Sequence, residues 1–224
     1  MNKTHYNSLF FDLDGTLINS VNDITYALNK MRAHFALGPI CDQTTASIIG
    51  KGFPTTTQKV LSLDLAPDKV ATYANDALKL TLDYYEEAMG QHTHIYPGVI
   101  NALTHFKELK IKMAVVTNKE EAHAIKTLEH LGLDQYFDCV VGGDTTAFHK
   151  PNPAPLEHAA RMLNADITTS LMIGDSANDA YCAEAYNMPY ILISHGYANG
   201  VDLHSLNALA VIKHFDELKD YIIG

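Results

Sequence analysis

Basic residues are scarce in this chain: 16 Lys and Arg stand against 26 Asp and Glu, for a formal net charge of −10. No basic block is present to neutralise a phosphate backbone, so nucleic-acid binding is excluded as a main role. A small anionic substrate is not excluded, because the local field of a site can oppose the net charge. Cysteine is equally sparse, with Cys41, Cys139 and Cys182 widely spaced and no Cys-x-x-Cys pair. That usage fits reduced thiols in a reducing compartment rather than a disulfide framework. No apolar run approaches transmembrane length, and the opening residues Met1 to Asn7 are polar, so no membrane partner and a cytoplasmic location are expected. Repeats and low-complexity stretches are absent as well.

What is present is concentrated near the start, in Phe10-Phe11-Asp12-Leu13-Asp14-Gly15-Thr16. An apolar strand runs directly into two carboxylates spaced i, i+2. Unpaired buried charge is costly, and two carboxylates about 4 Å apart repel by roughly 4 kcal/mol at an effective dielectric of 20. A cation belongs there, and a hard divalent ion is the simplest candidate.

Downstream the pattern divides in two. Residues from about 20 to 91 read as helical: Ile24, Leu28, Met31 and Phe35 fall at helical spacing, and a second helix is expected from Asp68 to Met89 behind Pro67. From Tyr96-Pro97-Gly98 onward, short β-prone runs alternate with helical stretches. A helix is expected to about Lys110, then a strand at Met113–Val116 and a helix to about Leu131. A strand at 138–141, a helix from Pro153 to Leu163, and strands at Leu171–Gly174 and Tyr190–Ile193 follow, and a helix over Phe215–Ile223 closes the chain. The alternation predicts an α/β fold, a Rossmann-like parallel sheet wrapped by helices, with ligands outside the carboxyl ends of the strands. Residues 1–19 and 92–224 form the expected core. Residues 20–91 form an inserted all-helical cap domain, with hinges near 16–20 and 91–97.

Four polar signals sit at expected strand ends, in order: Asp12-x-Asp14-Gly15-Thr16, Thr117, Lys150 before Pro151, and Gly174-Asp175-Ser176-Ala177-Asn178-Asp179. With these four in order and a helical insertion after the first, the chain resembles the haloacid dehalogenase-like hydrolase superfamily over nearly its whole length. The residue types suit that chemistry. A carboxylate can attack phosphorus and form an acyl-phosphate, the role for Asp12. Asp14 can protonate the leaving oxygen and then deprotonate water, and an extended strand puts residues 12 and 14 on one side. Thr117, with Asn118, offers hydrogen bonds to a phosphoryl oxygen, and Lys150 offers a point positive charge. Asp175 and Asp179 would complete a Mg²⁺ site with Asp12 and the backbone carbonyl of Asp14.

Finer features are similar to the phosphoglycolate phosphatase group: Ile49-Gly50-Lys51-Gly52, Tyr96-Pro97-Gly98-Val99, Val115-Val116-Thr117-Asn118-Lys119, Val141-Gly142-Gly143-Asp144, Lys150-Pro151-x-Pro153 and Gly196-Tyr197. The resemblance implies Mg²⁺-dependent hydrolysis of 2-phosphoglycolate, with the turn bearing Lys51 facing the substrate. Lys59, where that group often carries arginine, together with Thr55-Thr56-Thr57 and Thr145, departs from its pattern in the substrate-selecting region. A phosphosugar mutase, a phosphatase for another small ester, and a non-catalytic binding protein stay open on the same fold. A small phosphorylated substrate is the expected partner, and a monomer or weak dimer the expected assembly. His92 and His94 alternate at a hinge as a metal pair would, but exposed histidines are the simpler reading. His149 and His195 lie near strand ends, within reach of substrate or solvent.

Overall fold

In the computed structural model, which describes residues 4–223, every expected apolar run of the second half contains a strand, and all but Cys139–Val141 are buried apart from end residues. The chain begins with β1 (Thr4–His5), β2 (Ser8–Phe11) and β3 (Ile18–Asn19). Four helices follow without an intervening strand: α1 (Val21–His34), α2 (Asp42–Ala46), α3 (Gly52–Leu61) and α4 (Pro67–Ala88). Alternation then sets in, through β4 (His94–Ile95), α5 (Val99–Glu108), β5 (Lys112–Val116), α6 (Glu121–His130), β6 (Cys139–Val141) and α7 (Ala154–Leu163). The last elements are β7 (Ser170–Gly174), α8 (Ala177–Ala185), β8 (Tyr190–Ile193), β9 (Ala210–Ile212) and β10 (Ile222–Ile223).

Six parallel strands make the main sheet, in the order β6-β5-β2-β7-β8-β9. The chain builds outward from β2 to β6, then returns to the other side of β2 at β7. That reversal is the topological switch point at which open α/β sheets bind ligands. Phe11 is level with Val115 of β5 and Ile173 of β7, so Asp12, Thr117 and Asp175 emerge together at the carboxyl end. Strand alternation sorts the core into two layers. Leu9, Phe11, Val115 and Ile173 pack with Leu103 and Phe106 of α5 and Leu128 of α6. Phe10, Val116 and Met172 face Leu156 and Ala159 of α7 and Ala180 of α8.

The helical block has its own core, in which Ile24, Leu28 and Met31 of α1 meet Phe53, Val60, Ala77 and Tyr85. Arg32 is buried and ties the block internally, donating to the Gly38 and Val60 carbonyls and pairing with Asp64 at 2.6 Å. Where the chain enters and leaves the block, β3 pairs antiparallel with β4. Beside this ribbon the buried carboxylate of Asp23 accepts from the backbone N–H groups of Gly90 (2.8 Å), His92 (2.9 Å) and Thr93 (3.2 Å), and from the Thr93 hydroxyl (2.6 Å). A carboxylate supplied with four donors needs no cation beside it.

The C-terminus departs from expectation. Phe215–Asp220 is a 3-10 turn, and β10 pairs in parallel with β1. The β-branched Ile222 and Ile223 favour extended backbone and find an open partner in β1. The three cysteines are free, as their spacing implied.

Replacing Asp23 leaves the backbone N–H groups of Gly90, His92 and Thr93 and the Thr93 hydroxyl without their acceptor, and Thr93 is buried. Asp23→Ala is expected to lower the unfolding free energy by about 3 kcal/mol, measured by urea denaturation. A loss below about 1 kcal/mol, the size of an ordinary surface substitution, would contradict this role for Asp23.

Candidate active site

Three buried carboxylates converge where β2 and β7 end. Oxygen atoms of Asp12, Asp175 and Asp179 lie within 4.8 Å of one another. A single ammonium holds two of them: Lys150 Nζ is 2.8 Å from Asp12 Oδ1 and 2.6 Å from Asp179 Oδ1, and donates to the Val116 carbonyl at 2.6 Å. Burial alone would lower the Lys150 pKa, but the Asp12 and Asp179 carboxylates outweigh it and keep the ammonium charged. Burial pushes Asp12 up to about 6, with Lys150 only partly opposing it and Asp179 adding to it. Burial, reinforced by Asp179 and Asp12, also holds Asp175 well above the usual carboxylate range.

Each acid is positioned by its local sequence. Asp179 sits in the first turn of α8, where its Oδ2 accepts from the Asp175 and Ser176 N–H groups and the Ser176 hydroxyl in a capping box. Asp175 accepts from the Thr16 hydroxyl at 2.9 Å and the Tyr197 N–H at 2.6 Å. Two glycines let the backbone close over it. Gly15 has φ +93°, and a Cβ on either Gly15 or Gly196 would overlap Asp175 Oδ2. Asn118 clamps the backbone of Lys150 from both sides, its Oδ1 accepting from the Lys150 N–H and its Nδ2 donating to the Lys150 carbonyl, each at 2.9 Å.

The cluster suits a hard divalent cation. Three carboxylates against one ammonium leave surplus negative charge, and all three donors are oxygens. Asp12 Oδ1 is buried and accepts no hydrogen bond, since its contact with Lys150 is an ion pair without hydrogen-bond alignment. That leaves it a lone pair for a metal.

Asp14 belongs to a different arrangement. Its carboxylate is held by Lys119 Nζ at 2.7 and 2.8 Å and by the Ser20 hydroxyl. Of the expected metal ligands, then, the Asp14 side chain is not part of the carboxylate cluster, and the backbone carbonyl is the part of Asp14 left for a metal. Asp12, Asp14, Thr117, Asn118 and Lys119 line one wall of a small cavity, and Ile24, Ile49, Phe53 and Thr56 of the helical block line the other. The expected facing turn is therefore present, but Lys51 is not in the lining. It precedes α3 with an exposed side chain, and its neighbours Ile49, Gly50, Gly52 and Phe53 meet the cavity. Thr117 is buried and its Oγ1 accepts from the Lys119 N–H at 3.2 Å. His195 stacks on Tyr96 and contacts the Thr16 carbonyl at 3.1 Å, and His149 is exposed; neither lines this cavity.

Three asparagine amides bind the facing turn to the sheet. Asn118 and Asn178 both donate to the Gly50 carbonyl, at 2.9 and 3.0 Å, and Asn199 donates to the Ile49 carbonyl at 3.0 Å. Sequence reasoning singled out neither Lys119 nor Ser20 as a site residue. Lys119 follows the end of β5 by three residues, the same signal of a cation beyond a strand that marked Lys150; Ser20 carries no signal of its own.

Comparison with known proteins agrees with this geometry. The family model described as haloacid dehalogenase-like hydrolase matches residues 9–193. A phosphoglycolate phosphatase of Chromobacterium violaceum is 33% identical over 220 residues, covering 98% of each chain. A plasmid-borne phosphoglycolate phosphatase of Cupriavidus necator is 35% identical over 212 residues, 94% of this chain and 90% of that one. Among solved structures, a predicted phosphoglycolate phosphatase of Haemophilus somnus superposes with a TM-score of 0.90 at 24% identity, covering 98% of this chain and 99% of that one, a likeness of fold. With the match running from the strand before Asp12 to the last residue of β8, and the carboxylates and lysine gathered at one sheet end, this chain belongs to the haloacid dehalogenase-like hydrolase family.

Proposed function

We propose that this protein is a Mg²⁺-dependent phosphatase that hydrolyses 2-phosphoglycolate to glycolate and phosphate through an aspartyl-phosphate on Asp12. The observation that carries the reading is the buried cluster of Asp12, Asp175 and Asp179, with Lys150 paired to Asp12 and Asp179 and Asp12 lining a cavity that also presents Asp14. The curated relatives named phosphoglycolate phosphatase support the choice of ester.

Asp12, Asp175, Asp179 and the Asp14 carbonyl would hold Mg²⁺, whose charge would offset the repulsion between an incoming phosphate and Asp12 and stabilise the transferring phosphoryl group. Asp12 attacks phosphorus. A bond forms from its carboxylate oxygen, the ester P–O bond breaks, and Asp14 supplies the proton that the leaving oxygen takes away. Water then attacks the aspartyl-phosphate, Asp14 takes its proton, and phosphate departs from a regenerated Asp12. Lys150 holds positive charge beside Asp12 throughout. The Thr117 hydroxyl, whose proton has no acceptor among the described residues, is available to a phosphoryl oxygen. Residues 20–91 act as the cap over this chemistry, hinged where β3 pairs with β4 and latched by Asn118, Asn178 and Asn199. Closure of such a lid excludes bulk water.

Phosphate release from a panel of small esters tests the reading. The expected result is release that needs Mg²⁺, stops with a chelator and is fastest on 2-phosphoglycolate. Asp12→Asn is expected to lower kcat by about 10⁴-fold while leaving the melting temperature no lower, since it removes a carboxylate from a crowded site. Interconversion of sugar-phosphate isomers without phosphate release would make the protein a mutase instead. Full activity in folded Asp12→Asn would remove the covalent mechanism.

A further inference from the structure

One buried cation of the cavity takes no part in the scheme above. The Lys119 side chain is 2% exposed, bridges both oxygens of Asp14, and lies 5.1 Å from the centre of the Tyr85 ring. Burial alone would lower its pKa, but Asp14 and Tyr85 more than reverse this, so it is charged. The charged side chains in the cavity wall are Asp12, Asp14 and Lys119, so among the described residues Lys119 supplies the one positive charge that lines it. The two lysines of the facing turn and helix, Lys51 and Lys59, are exposed and outside the wall.

The connectivity of the substrate decides what this cation meets. In an α-phosphoryloxy carboxylate, the leaving oxygen and the carboxylate are attached to the same carbon. An acid that protonates the leaving oxygen must approach it to about 2.7 Å. The substrate carboxylate is then a near neighbour of Asp14, and once Asp14 has given up its proton two carboxylates at that range repel strongly unless a cation lies between them. An ammonium has three donors, of which Asp14 takes two. The first turn of α3, at Gly52 and Phe53, reaches the same cavity and brings the positive end of a ten-residue helix to it.

We propose that Lys119 selects carboxylate-bearing phosphate esters, binding the carboxylate on the carbon of the leaving oxygen and bridging it to Asp14. The inference rests on the phosphatase reading above and assigns the substrate class to a residue of the sheet end rather than to the exposed lysines at positions 51 and 59.

The experiment compares kcat/KM for 2-phosphoglycolate and for 2-hydroxyethyl phosphate, which carries CH₂OH in place of the carboxylate. Wild type, Lys119→Met, Lys119→Gln and Lys119→Arg are assayed with Mg²⁺. Wild type is expected to prefer the carboxylate ester. In Lys119→Met both rates fall to the extent that Asp14 loses its partner, but the preference is expected to collapse by about 10- to 100-fold, chiefly through KM. Lys119→Gln keeps a neutral donor and is expected to lose the preference in the same way, which covers the case in which Lys119→Met does not fold. Lys119→Arg keeps the charge and is expected to retain most of the preference. Equal losses on the two esters, or a preference that survives in the folded neutral variants, would overturn the role of Lys119 and leave the phosphatase reading standing. So would wild-type turnover of both esters without preference. Release of phosphate from neither ester, nor from any other of a broad panel, would overturn the phosphatase reading and this inference with it.

Discussion

A single buried ammonium, Lys150 Nζ, stands between carboxylates of Asp12 and Asp179 at the sheet end. Everything else about the sheet end follows from the need to place and balance that charge. An ion pair this deep gains little net stability over apolar packing, while loss of one partner leaves an uncompensated buried charge. The pair is therefore better understood as a device for holding Asp12 where it can react than as a contributor to folding. Its balance is also incomplete: with Asp175 counted, three acids share one lysine, and both Asp12 and Asp175 are held above the ordinary carboxylate range by burial and by their neighbours.

The surrounding structure is a frame for that cluster. The β2–β7 pairing sets Asp12 beside Asp175, the α8 capping box fixes Asp179, and Asn118 grips the backbone on both sides of Lys150. The same Asn118 reaches across the cavity to the Gly50 carbonyl. One amide thus couples the position of the central lysine to the turn that closes the cavity, and Asn178, in the first turn of α8, meets the same carbonyl. Movement of residues 49–53 away from the sheet would break hydrogen bonds made directly to the catalytic loops. Asp14 is held by a second lysine and the Ser20 hydroxyl, one residue before α1, so its setting too depends on how the chain enters the helical block.

The sheet was legible in the sequence because parallel strands buried on both faces read as short apolar runs that stop at polar residues. Leu9–Phe11, Met113–Val116, Leu171–Gly174 and Tyr190–Ile193 are of this kind, and each falls within an observed strand. The acids and lysine at their ends were legible for the same reason. Elements defined by distant pairing were not. Ile18–Asn19 and His94–Ile95 form a two-residue ribbon whose partners are far apart in sequence, and Ala210–Ile212 is a three-residue edge strand without alternation to mark it. Ile222–Ile223 looks like the end of a helix until β1 is seen beside it. Among site residues, Lys51 drew notice because its glycine-flanked turn was expected to face the substrate. The turn does so, but through Ile49, Gly50 and Gly52 rather than Lys51, a matter of backbone direction that composition does not encode. Lys119 carries the signal of a cation beyond a strand, but its pairing with Asp14 is visible only in the fold.

The central claim is that the carboxylate surplus at the sheet end is completed by a divalent cation. Its most direct test is the melting temperature with chelator and with Mg²⁺, followed across pH. Burial raises the Asp12 pKa from 3.8 to about 6. Ionising it there costs stability, so this group's contribution falls as pH rises between those values. Mg²⁺ binds the ionised cluster and stabilises by mass action. The account therefore expects Mg²⁺ to raise the melting temperature above about pH 6, an increment that shrinks as pH falls below that value and is lost in Asp175→Asn. A melting temperature indifferent to Mg²⁺ at every pH, or an increment that Asp175→Asn leaves intact, would contradict it.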